Sequence, residues 1–210
     1  TESISKNNPL SAEENIAVVV LAAGGSTRLG RPKQLVEFKG KTLLDNALDK
    51  VDLLGFQTKI LVLGAKREEI MDKIDANSFK VVINTQWEQG MASSIKVGLE
   101  AAMAEEEGLD HVLFLVSDQP FLERANLIKL VHTQLTQHPN ATYSQYGENV
   151  GVPAIFGKEA FPLLLQLEAD EGAKKLTRLE DFKYCTETFK KGGFDVDTEE
   201  DVQQLKQMEK

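Results

Sequence analysis

A run of apolar residues near the start of the chain constrains the fold most. Residues 16–21 read Ile-Ala-Val-Val-Val-Leu, an unbroken and largely β-branched stretch. A stretch with no polar alternation predicts a central strand of a parallel sheet, buried on both faces. The chain then changes abruptly to small residues and two cations, Arg28 and Lys33. Small residues expose backbone N–H groups, so this turn predicts a concave, positively charged site suited to a polyphosphate.

Alternation of strand and helix continues through the first half of the chain. Thr42 can cap a helix whose apolar positions share one face. Further buried strands are predicted at 59–63, 80–83 and 111–116, with helices at 67–74 and 91–106. We therefore predict an α/β fold, a Rossmann-like, three-layer, doubly wound and mostly parallel mixed sheet. Ligands of such sheets bind beyond the carboxyl ends of the strands, near a switch in strand order.

The second half of the chain is less regular. Two strand patterns, 141–146 and 150–156, flank a turn at Gly147 and predict a hairpin that adds an antiparallel strand to the sheet. Pro153 predicts an edge or terminated strand, because proline donates no hydrogen bond to a ladder. Weaker patterns predict helices at 158–167 and 171–180, short strands at 184–189 and 194–196, and a last helix capped by Thr198.

The length and charge of the chain limit the kinds of partner that it can bind. The chain has 210 residues and a formal net charge of −9, which argues against nucleic acid or an anionic membrane as a partner. The single cysteine, Cys185, allows no internal disulfide. No apolar run approaches the roughly 20 residues of a membrane helix, and we expect a cytoplasmic protein. The polar residues 1–15 predict a flexible arm, followed by a single domain over residues 16–210.

The loop after the first strand fits neither of two familiar glycine patterns. Gly25 and Gly30 have the spacing of an NTPase phosphate loop, but Arg31 and Pro32 stand where that loop needs lysine and a hydroxyl residue. Gly24 and its neighbours do not supply a Gly-x-Gly-x-x-Gly dinucleotide pattern either. From the residues alone, this is a strand followed by an anion-binding loop.

Residues 21–30 read Leu-Ala-Ala-Gly-Gly-Ser-Thr-Arg-Leu-Gly, and Pro-Lys follows at 32–33. In this sequence and spacing they resemble the signature of nucleotidyltransferases that build molybdenum cofactor dinucleotides. The resemblance implies a fold like that of nucleotide-diphospho-sugar transferases. It also implies that the loop wraps a nucleoside triphosphate. The residues it assigns to base, ribose and phosphates are Leu21, Ala22, Ala23, Gly24, Gly25, Arg28 and Lys33, with Arg28 and Lys33 neutralising phosphate charge during catalysis.

A second segment, residues 84–95, follows a predicted strand and opens a helix whose first turn offers N–H groups and hydroxyls. Its Gly-Met-x-x-Ser-Ile resembles the segment that family members using cytidine triphosphate place beside the pyrimidine. The nucleotide-binding residues implied here are Asn84, Gly90, Ser93 and Ser94. Ala23 stands where guanylyl members carry glycine, and its methyl group narrows the slot for a base. Both segments favour CTP over GTP.

Acidic residues supply a predicted metal site. Asp118 lies just past the strand 111–116, in Ser-Asp-Gln-Pro, where the family places an Asp-x-Pro whose carboxylate binds Mg²⁺ on the nucleotide phosphates. A second carboxylate is implied by Asp-Val-Asp-Thr-Glu-Glu-Asp over 195–201, which resembles the family's closing motif with Glu199 replacing a proline. Either Asp195 or Asp197 fits that role, because both lie on one side of an extended segment. Hard oxygen ligands suit Mg²⁺, with Mn²⁺ as a substitute.

Two further motif matches concern the part of the site where the family binds its acceptor. Gly151 and Pro153 belong to a Gly-x-Pro-x-x-Phe pattern, near which the family binds its acceptor. Asp170 and Gly172 belong to a second pattern that the family places on the acceptor side, in which Ala169 replaces the family's first glycine.

The resemblance implies transfer of CMP from CTP to the phosphate of molybdopterin, with release of pyrophosphate. The alternatives are cytidylyl transfer to a sugar or polyol phosphate, guanylyl transfer from GTP to molybdopterin, and a nucleotide-binding chaperone for a molybdoenzyme. An apo-molybdoenzyme is a further candidate partner.

Overall fold

The computed structural model describes residues 14–76 and 78–209. Within these residues the strands are Ile16–Ala22 (β1), Glu37–Phe38 (β2), Lys41–Thr42 (β3), Thr58–Leu63 (β4), Lys80–Ile83 (β5), His111–Val116 (β6), Ala141–Tyr146 (β7), Asn149–Gly157 (β8) and Tyr184–Thr188 (β9). The α-helices are Leu43–Asp52 (α1), Arg67–Met71 (α2), Met91–Glu105 (α3), Arg124–Gln137 (α4), Phe161–Leu165 (α5) and Glu199–Gln207 (α6).

Seven strands form one sheet in the order β5-β4-β1-β6-β8-β7-β9. β1 pairs in parallel with both β4 and β6, so that Val19 lies between Ile60 and Phe114. The chain moves outward from β1 to β4 and β5 and then returns to place β6 on the other side of β1. This reversal is the switch point at which doubly wound sheets bind ligands. The predicted α/β doubly wound fold is confirmed.

The apolar run of β1 is buried on both faces, as its sequence predicts. Val19 packs into a core beneath α3, whereas Val18 and Val20 pack into a second core that includes α1 and α4 side chains. Gly98 of α3 lies directly over Val19, because a Cβ atom at that glycine would come within 2.5 Å of Val19 Cγ1. The sheet is therefore the middle layer of three.

The predicted hairpin is present, and it brings an antiparallel strand into the sheet. β8 is antiparallel to both β6 and β7. β8 is consequently an interior strand, and the prediction that Pro153 marks an edge or terminated strand is wrong. The ladder shifts register between Tyr143 and Ser144, and Ser144 Oγ donates to the Pro153 carbonyl at 2.6 Å. A β-bulge thus accommodates a residue that has no N–H to pair.

Other boundaries in the second half differ from the sequence prediction. The helix expected at 171–180 is a 3₁₀ helix over Ala173–Arg178, and residues 194–196 form no strand. The helix expected at 158–167 divides into the 3₁₀ turn Lys158–Ala160 and α5. The cap at Thr198 is present as a reciprocal capping box with Asp201, which starts α6 where predicted.

The arm predicted over residues 1–15 lies outside the described residues except for its last two. Asn15 is hydrogen-bonded through its backbone N–H to Asp110 Oδ2 at 2.9 Å, and Glu14 contacts His111 Nε2 at 2.6 Å. These two residues are therefore attached to the start of β6. In the described part of the chain, no helix is long and apolar enough to cross a membrane.

Candidate active site

A cavity of about 410 Å³ opens at the carboxyl ends of β1 and β6, at the switch point of the sheet. Ten residues of the predicted site line it, namely Leu21, Ala22, Ala23, Gly24, Gly25, Lys33, Gly90, Ser94, Asp118 and Asp170. Seven others that line it were not assigned to the site: Thr27, Gln34, Trp87, Glu88, Met91, Val116 and Ser117. Folding thus brings together residues separated by nearly 150 positions in the chain.

The loop after β1 is folded back on itself by a buried glutamine. Gln34 Nε2 donates to the carbonyls of Ala22 at 2.8 Å and Gly24 at 3.3 Å. Ser26 adopts a left-handed backbone conformation, and its Oγ accepts from the Lys33 N–H at 3.0 Å. These bonds occupy loop carbonyls and hold the loop in shape. Gln34 directly follows the Pro-Lys of the motif, which is the signal by which it could have been found.

Lys33 connects the loop to two carboxylates from distant parts of the chain. Its Nζ donates to Asp118 Oδ2 at 2.5 Å and to Asp197 Oδ1 at 2.9 Å. Burial opposes the charge of this ammonium, but the two carboxylates outweigh burial and raise the pKa of Lys33. Lys33 is therefore a fixed cation beside the cavity.

Arg28 lies at the rim of this network. Its guanidinium donates to Asp197 Oδ2 at 3.0 Å, and its side chain is 70% exposed. Arg28 does not line the cavity. Both oxygens of Asp197 are thus engaged by cations, one by Arg28 and the other by Lys33.

The third carboxylate, Asp195, has a different environment. The backbone N–H of Val196 donates to the Asp118 carbonyl at 3.0 Å, which holds this segment against the end of β6. Partial desolvation and the negative charges of Asp118 and Asp197 raise the pKa of Asp195 to about 6, although its side chain reaches solvent. Within residues 14–76 and 78–209, Asp195 makes no ion pair, and no three acidic, histidine or cysteine side chains enclose a metal position.

Asn84 and Ser93 support the cavity wall rather than line it. Asn84 is buried, and its Nδ2 donates to Ser93 Oγ at 2.8 Å and Ser94 Oγ at 3.0 Å. Ser93 Oγ also donates to the Gly90 carbonyl at 2.7 Å. The amide of Asn84 therefore fixes the start of α3 and orients Ser94, which does line the cavity.

Gly90 joins this wall to a segment predicted for the acceptor side. Its φ is +102°, and an added Cβ would lie 2.4 Å from Asp170 Oδ1 and 2.5 Å from the Ala169 carbonyl oxygen. The Ala92 N–H donates to the same carbonyl at 3.1 Å. Asp170 consequently lines the same cavity as the glycine loop, whereas Gly172 does not.

Trp87 forms a further wall, which is held close by two glycines. An added Cβ at Gly25 would lie 2.8 Å from Trp87 Cζ3, and one at Gly64 would lie 2.8 Å from Trp87 Cβ and 3.0 Å from Ala23 Cβ. Any side chain at either glycine would displace the indole or the loop. No sequence motif marks Gly64, because it reaches this wall from the end of the neighbouring strand β4.

Gly151 and Pro153 lie outside the cavity lining, behind the carboxylates. Gln119 Nε2 donates to the Val152 carbonyl at 3.0 Å, so this part of β8 is tied to the residue after Asp118. Gly151 lies against the Tyr146 hydroxyl, since an added Cβ would be 2.2 Å from it. Burial and the charges of Asp195 and Asp118 raise the pKa of Tyr146. Tyr146 is a residue near the carboxylates that sequence reasoning missed.

A glycine-containing loop, paired cations and a carboxylate at the switch point of a doubly wound sheet are typical of enzymes that transfer nucleotidyl groups. The chain matches the model of one such family over residues 18–186. It belongs to the family of MobA-like NTP transferase domains.

The chain also resembles individual proteins over most of its length. The chain is 28% identical over 202 residues to nicotine blue oxidoreductase of Paenarthrobacter nicotinovorans, covering 89% of this chain and 94% of that protein. The crystal structure of Rv0371c from Mycobacterium tuberculosis superposes with a TM-score of 0.77 at 28% identity, covering 91% of this chain and 97% of the other. The same Mycobacterium tuberculosis protein has been solved in complex with manganese, with a TM-score of 0.75 at 27% identity over 91% of this chain and 97% of that one.

Proposed function

We propose that this protein transfers CMP from CTP to the phosphate of molybdopterin. The observation that carries the proposal is the cavity in which the glycine loop, Lys33 and Asp118 meet at the switch point of the sheet. An oxygen of the acceptor phosphate attacks the α-phosphorus of CTP in line. The bond from that phosphorus to the β-phosphate oxygen breaks, and pyrophosphate leaves with the electron pair. Positioning and electrostatic stabilisation supply the catalysis, so no protein nucleophile is needed.

The loop and its cations are assigned to the nucleotide. Residues 23–25 and Lys33 line the cavity in which a triphosphate would lie, and Arg28, which is 70% exposed, lies at its rim. Phosphate oxygens would replace carboxylate oxygens as partners of Lys33 and Arg28, which keeps each cation paired. This role requires no rearrangement of the loop, because Gln34 already fixes it.

Ala23, Ser94 and Trp87 are the residues we assign to base choice. All three line the cavity, and Asn84 orients the Ser94 hydroxyl. The Ala23 methyl group lies against Gly64, which carries no side chain that could yield. A methyl group in this wall leaves less room for a base than a glycine would, which favours a pyrimidine over the larger purine.

The carboxylates fit a divalent cation. Asp118, Asp195 and Asp197 present oxygen donors only, the type that Mg²⁺ and Mn²⁺ prefer, and Mg²⁺ takes one or two protein carboxylates. Asp118 lines the cavity, and Asp195 could bind an ion without losing any ion pair among the described residues, so we assign the ion to Asp118 and Asp195. When bound, such an ion offsets charge on the phosphates. The manganese complex of Rv0371c supports a divalent ion in this family.

An oxidoreductase is the alternative raised by the likeness to nicotine blue oxidoreductase. The paired Lys33 and Asp118 favour nucleotidyl transfer, because hydride transfer has no need of a carboxylate cluster beside the phosphates. An assay for oxidation of NADH or NADPH with a dye acceptor separates the two reactions.

Pyrophosphate release tests the proposal. Each of the four NTPs is incubated with Mg²⁺ or Mn²⁺ and one acceptor from a panel of molybdopterin, a sugar phosphate and a polyol phosphate. We expect release with CTP and molybdopterin only. Turnover with a sugar or polyol phosphate and none with molybdopterin would show that the acceptor is that phosphate and not molybdopterin. Turnover with GTP alone would show that the substrate is GTP and not CTP. Binding of CTP without pyrophosphate release in any mixture would show that the protein binds nucleotides but is not a nucleotidyltransferase.

A further inference from the structure

A second and larger cavity, of about 750 Å³, is lined by the residues that follow Asp118 and precede Asp195, among them Phe121 and Phe194. Three phenyl rings line it. Phe121 packs edge-on to Phe38 at 6.0 Å between centroids and is tilted against Phe194 at 5.4 Å. Met208, which is 49% exposed, adds a flexible apolar side chain. This floor could accommodate an aromatic or branched apolar side chain from a ligand.

The rim of this cavity carries a net positive charge. Four lysines, Lys39, Lys50, Lys190 and Lys191, line it together with one acidic residue, Glu123. We call the cavity with these lysines and the three phenylalanines the lysine cleft. Within residues 14–76 and 78–209, none of the four forms an ion pair, although other lysines of the chain do. Burial and the charge of Lys39 lower the pKa of Lys50. The ammonium groups of Lys39 and Lys191 lie over the Phe38 and Phe121 rings, 5.2 and 5.1 Å from their centroids. A concentration of lysines without carboxylate partners on a chain of net charge −9 indicates an acidic ligand.

The donors of the lysine cleft distinguish an acidic peptide from a small phosphorylated molecule. Phosphate pockets combine backbone N–H groups, arginine forks and hydroxyls that converge on one point. The cleft has no arginine, serine or threonine among its lining residues. The amide side chain in its lining, that of Asn46, already donates to the Phe38 carbonyl at 2.9 Å. Separate, flexible ammonium groups around an aromatic floor fit carboxylates spread along a peptide.

We propose that the lysine cleft binds an acidic segment of a partner protein that carries a large apolar side chain. The apolar side chain packs on Phe38, Phe121 and Phe194, and flanking carboxylates pair with the rim lysines. Phe121 lies three residues after Asp118, and Phe194 directly precedes Asp195. The partner is thereby held beside the loops that bear the active-site carboxylates. The proposal does not depend on which nucleotide or acceptor the active site uses.

Fluorescence anisotropy tests this with a short fluorescein-labelled peptide of glutamates and aspartates around a central Leu-Phe pair. The test variant is Lys190→Glu with Lys191→Glu, and the matched control is Lys129→Glu with Lys183→Glu, which reverses two exposed charges outside the cleft. We expect the test variant to bind at least about tenfold more weakly and the control to change less than about twofold. Replacing Leu-Phe by Ser-Ser should also weaken binding. Unchanged circular dichroism and thermal midpoints verify that both variants fold.

Several results would overturn the proposal. Equal binding by test and control variants would exclude the lysine cleft, and equal binding of a lysine-rich peptide would exclude charge recognition. Displacement of the peptide by inorganic phosphate or pyrophosphate at constant ionic strength would indicate a small phosphorylated ligand. Self-association of the wild type that is lost in the test variant, measured by sedimentation velocity, would make a second copy of this chain the occupant.

Discussion

At the scale of single residues, Lys33 determines how the active site is held. Its ammonium bonds both Asp118 and Asp197, and so it links the loop after β1 to the segment before α6. A paired, partly buried cation of this kind is destabilised when one partner is removed, because the remaining charge stays desolvated. Replacing one of these carboxylates should therefore affect the rate of nucleotidyl transfer more than the affinity for the nucleotide.

Asp118→Asn should lower the rate of pyrophosphate release from CTP by about 100-fold or more, because an amide retains the shape but not the charge of the carboxylate. CTP affinity, measured by calorimetry, should change far less, since the loop that holds the triphosphate is intact. Asp181→Asn, at an exposed position away from the cavity, serves as the control and should keep the wild-type rate. A normal rate in Asp118→Asn would refute the metal assignment.

Ala23→Gly should shift the preference from CTP toward GTP. Removing the methyl group that lies against Gly64 lets the loop accept a larger base, and we expect the ratio of kcat/KM for GTP to that for CTP to rise about tenfold. The control is Ala65→Gly, a buried alanine next to Gly64 that does not line the cavity. Equal ratios in the two variants would show that Ala23 has no part in base choice.

At the scale of elements, the start of α3 depends on a backbone conformation that few residues adopt. Gly90 has φ +102° and lies against the Ala169–Asp170 segment. The start of α3 therefore contacts a loop from the second half of the chain, and Asp170 of that loop lines the cavity. The sequence predicts that Gly90 opens this helix, but the contact with residues 169 and 170 depends on tertiary packing.

Gly90→Ala should reduce the free energy of unfolding by about 2–3 kcal/mol, because the methyl group would collide with Asp170 and the Ala169 carbonyl. Gly172→Ala is the matched control: its φ is −86° and nothing lies within 4 Å of an added Cβ. That variant should change stability by about 1 kcal/mol or less. Urea denaturation measures both, and similar losses in the two variants would contradict the role given to Gly90.

At the scale of the whole molecule, β6 and β8 join the parallel first half to the irregular second half. Phe156 of β8 is fully buried, with its ring 6.0 Å from that of Phe114 on β6 and 5.4 Å from that of Tyr143 on β7. This cluster spans the boundary between the two halves. We therefore propose that residues 16–210 unfold as one unit.

The aromatic residues provide separate probes of each half. The single tryptophan, Trp87, lies in the first half, and the three tyrosines, Tyr143, Tyr146 and Tyr184, lie in the second. In urea, both signals should report one transition, and Phe156→Ala should lower the free energy of unfolding by about 3–5 kcal/mol for both. Separate transitions for tryptophan and tyrosine would divide the chain into two domains.

Much of this architecture is predictable from local sequence. The strands β5 and β6 have the predicted limits, and the Thr198 cap lies where its motif predicts. These succeed because burial and capping depend on residues close together in the chain. The predictions fail where distant contacts dominate: Pro153 lies in an interior strand because a bulge accommodates it, and the α-helix predicted over 171–180 is a 3₁₀ helix over Ala173–Arg178.

By itself, the sequence determined the strand-helix alternation, the glycine loop and the residue types of the site, because these depend on periodicity and on local chemistry. Tertiary structure alone decided which of those residues meet. It placed Gln34 beneath the loop, paired both oxygens of Asp197 with cations while leaving Asp195 without an ion pair in the described residues, and brought Asp170 into the cavity. The reason is physical: such pairings follow from strand order and long-range packing, which no local pattern encodes.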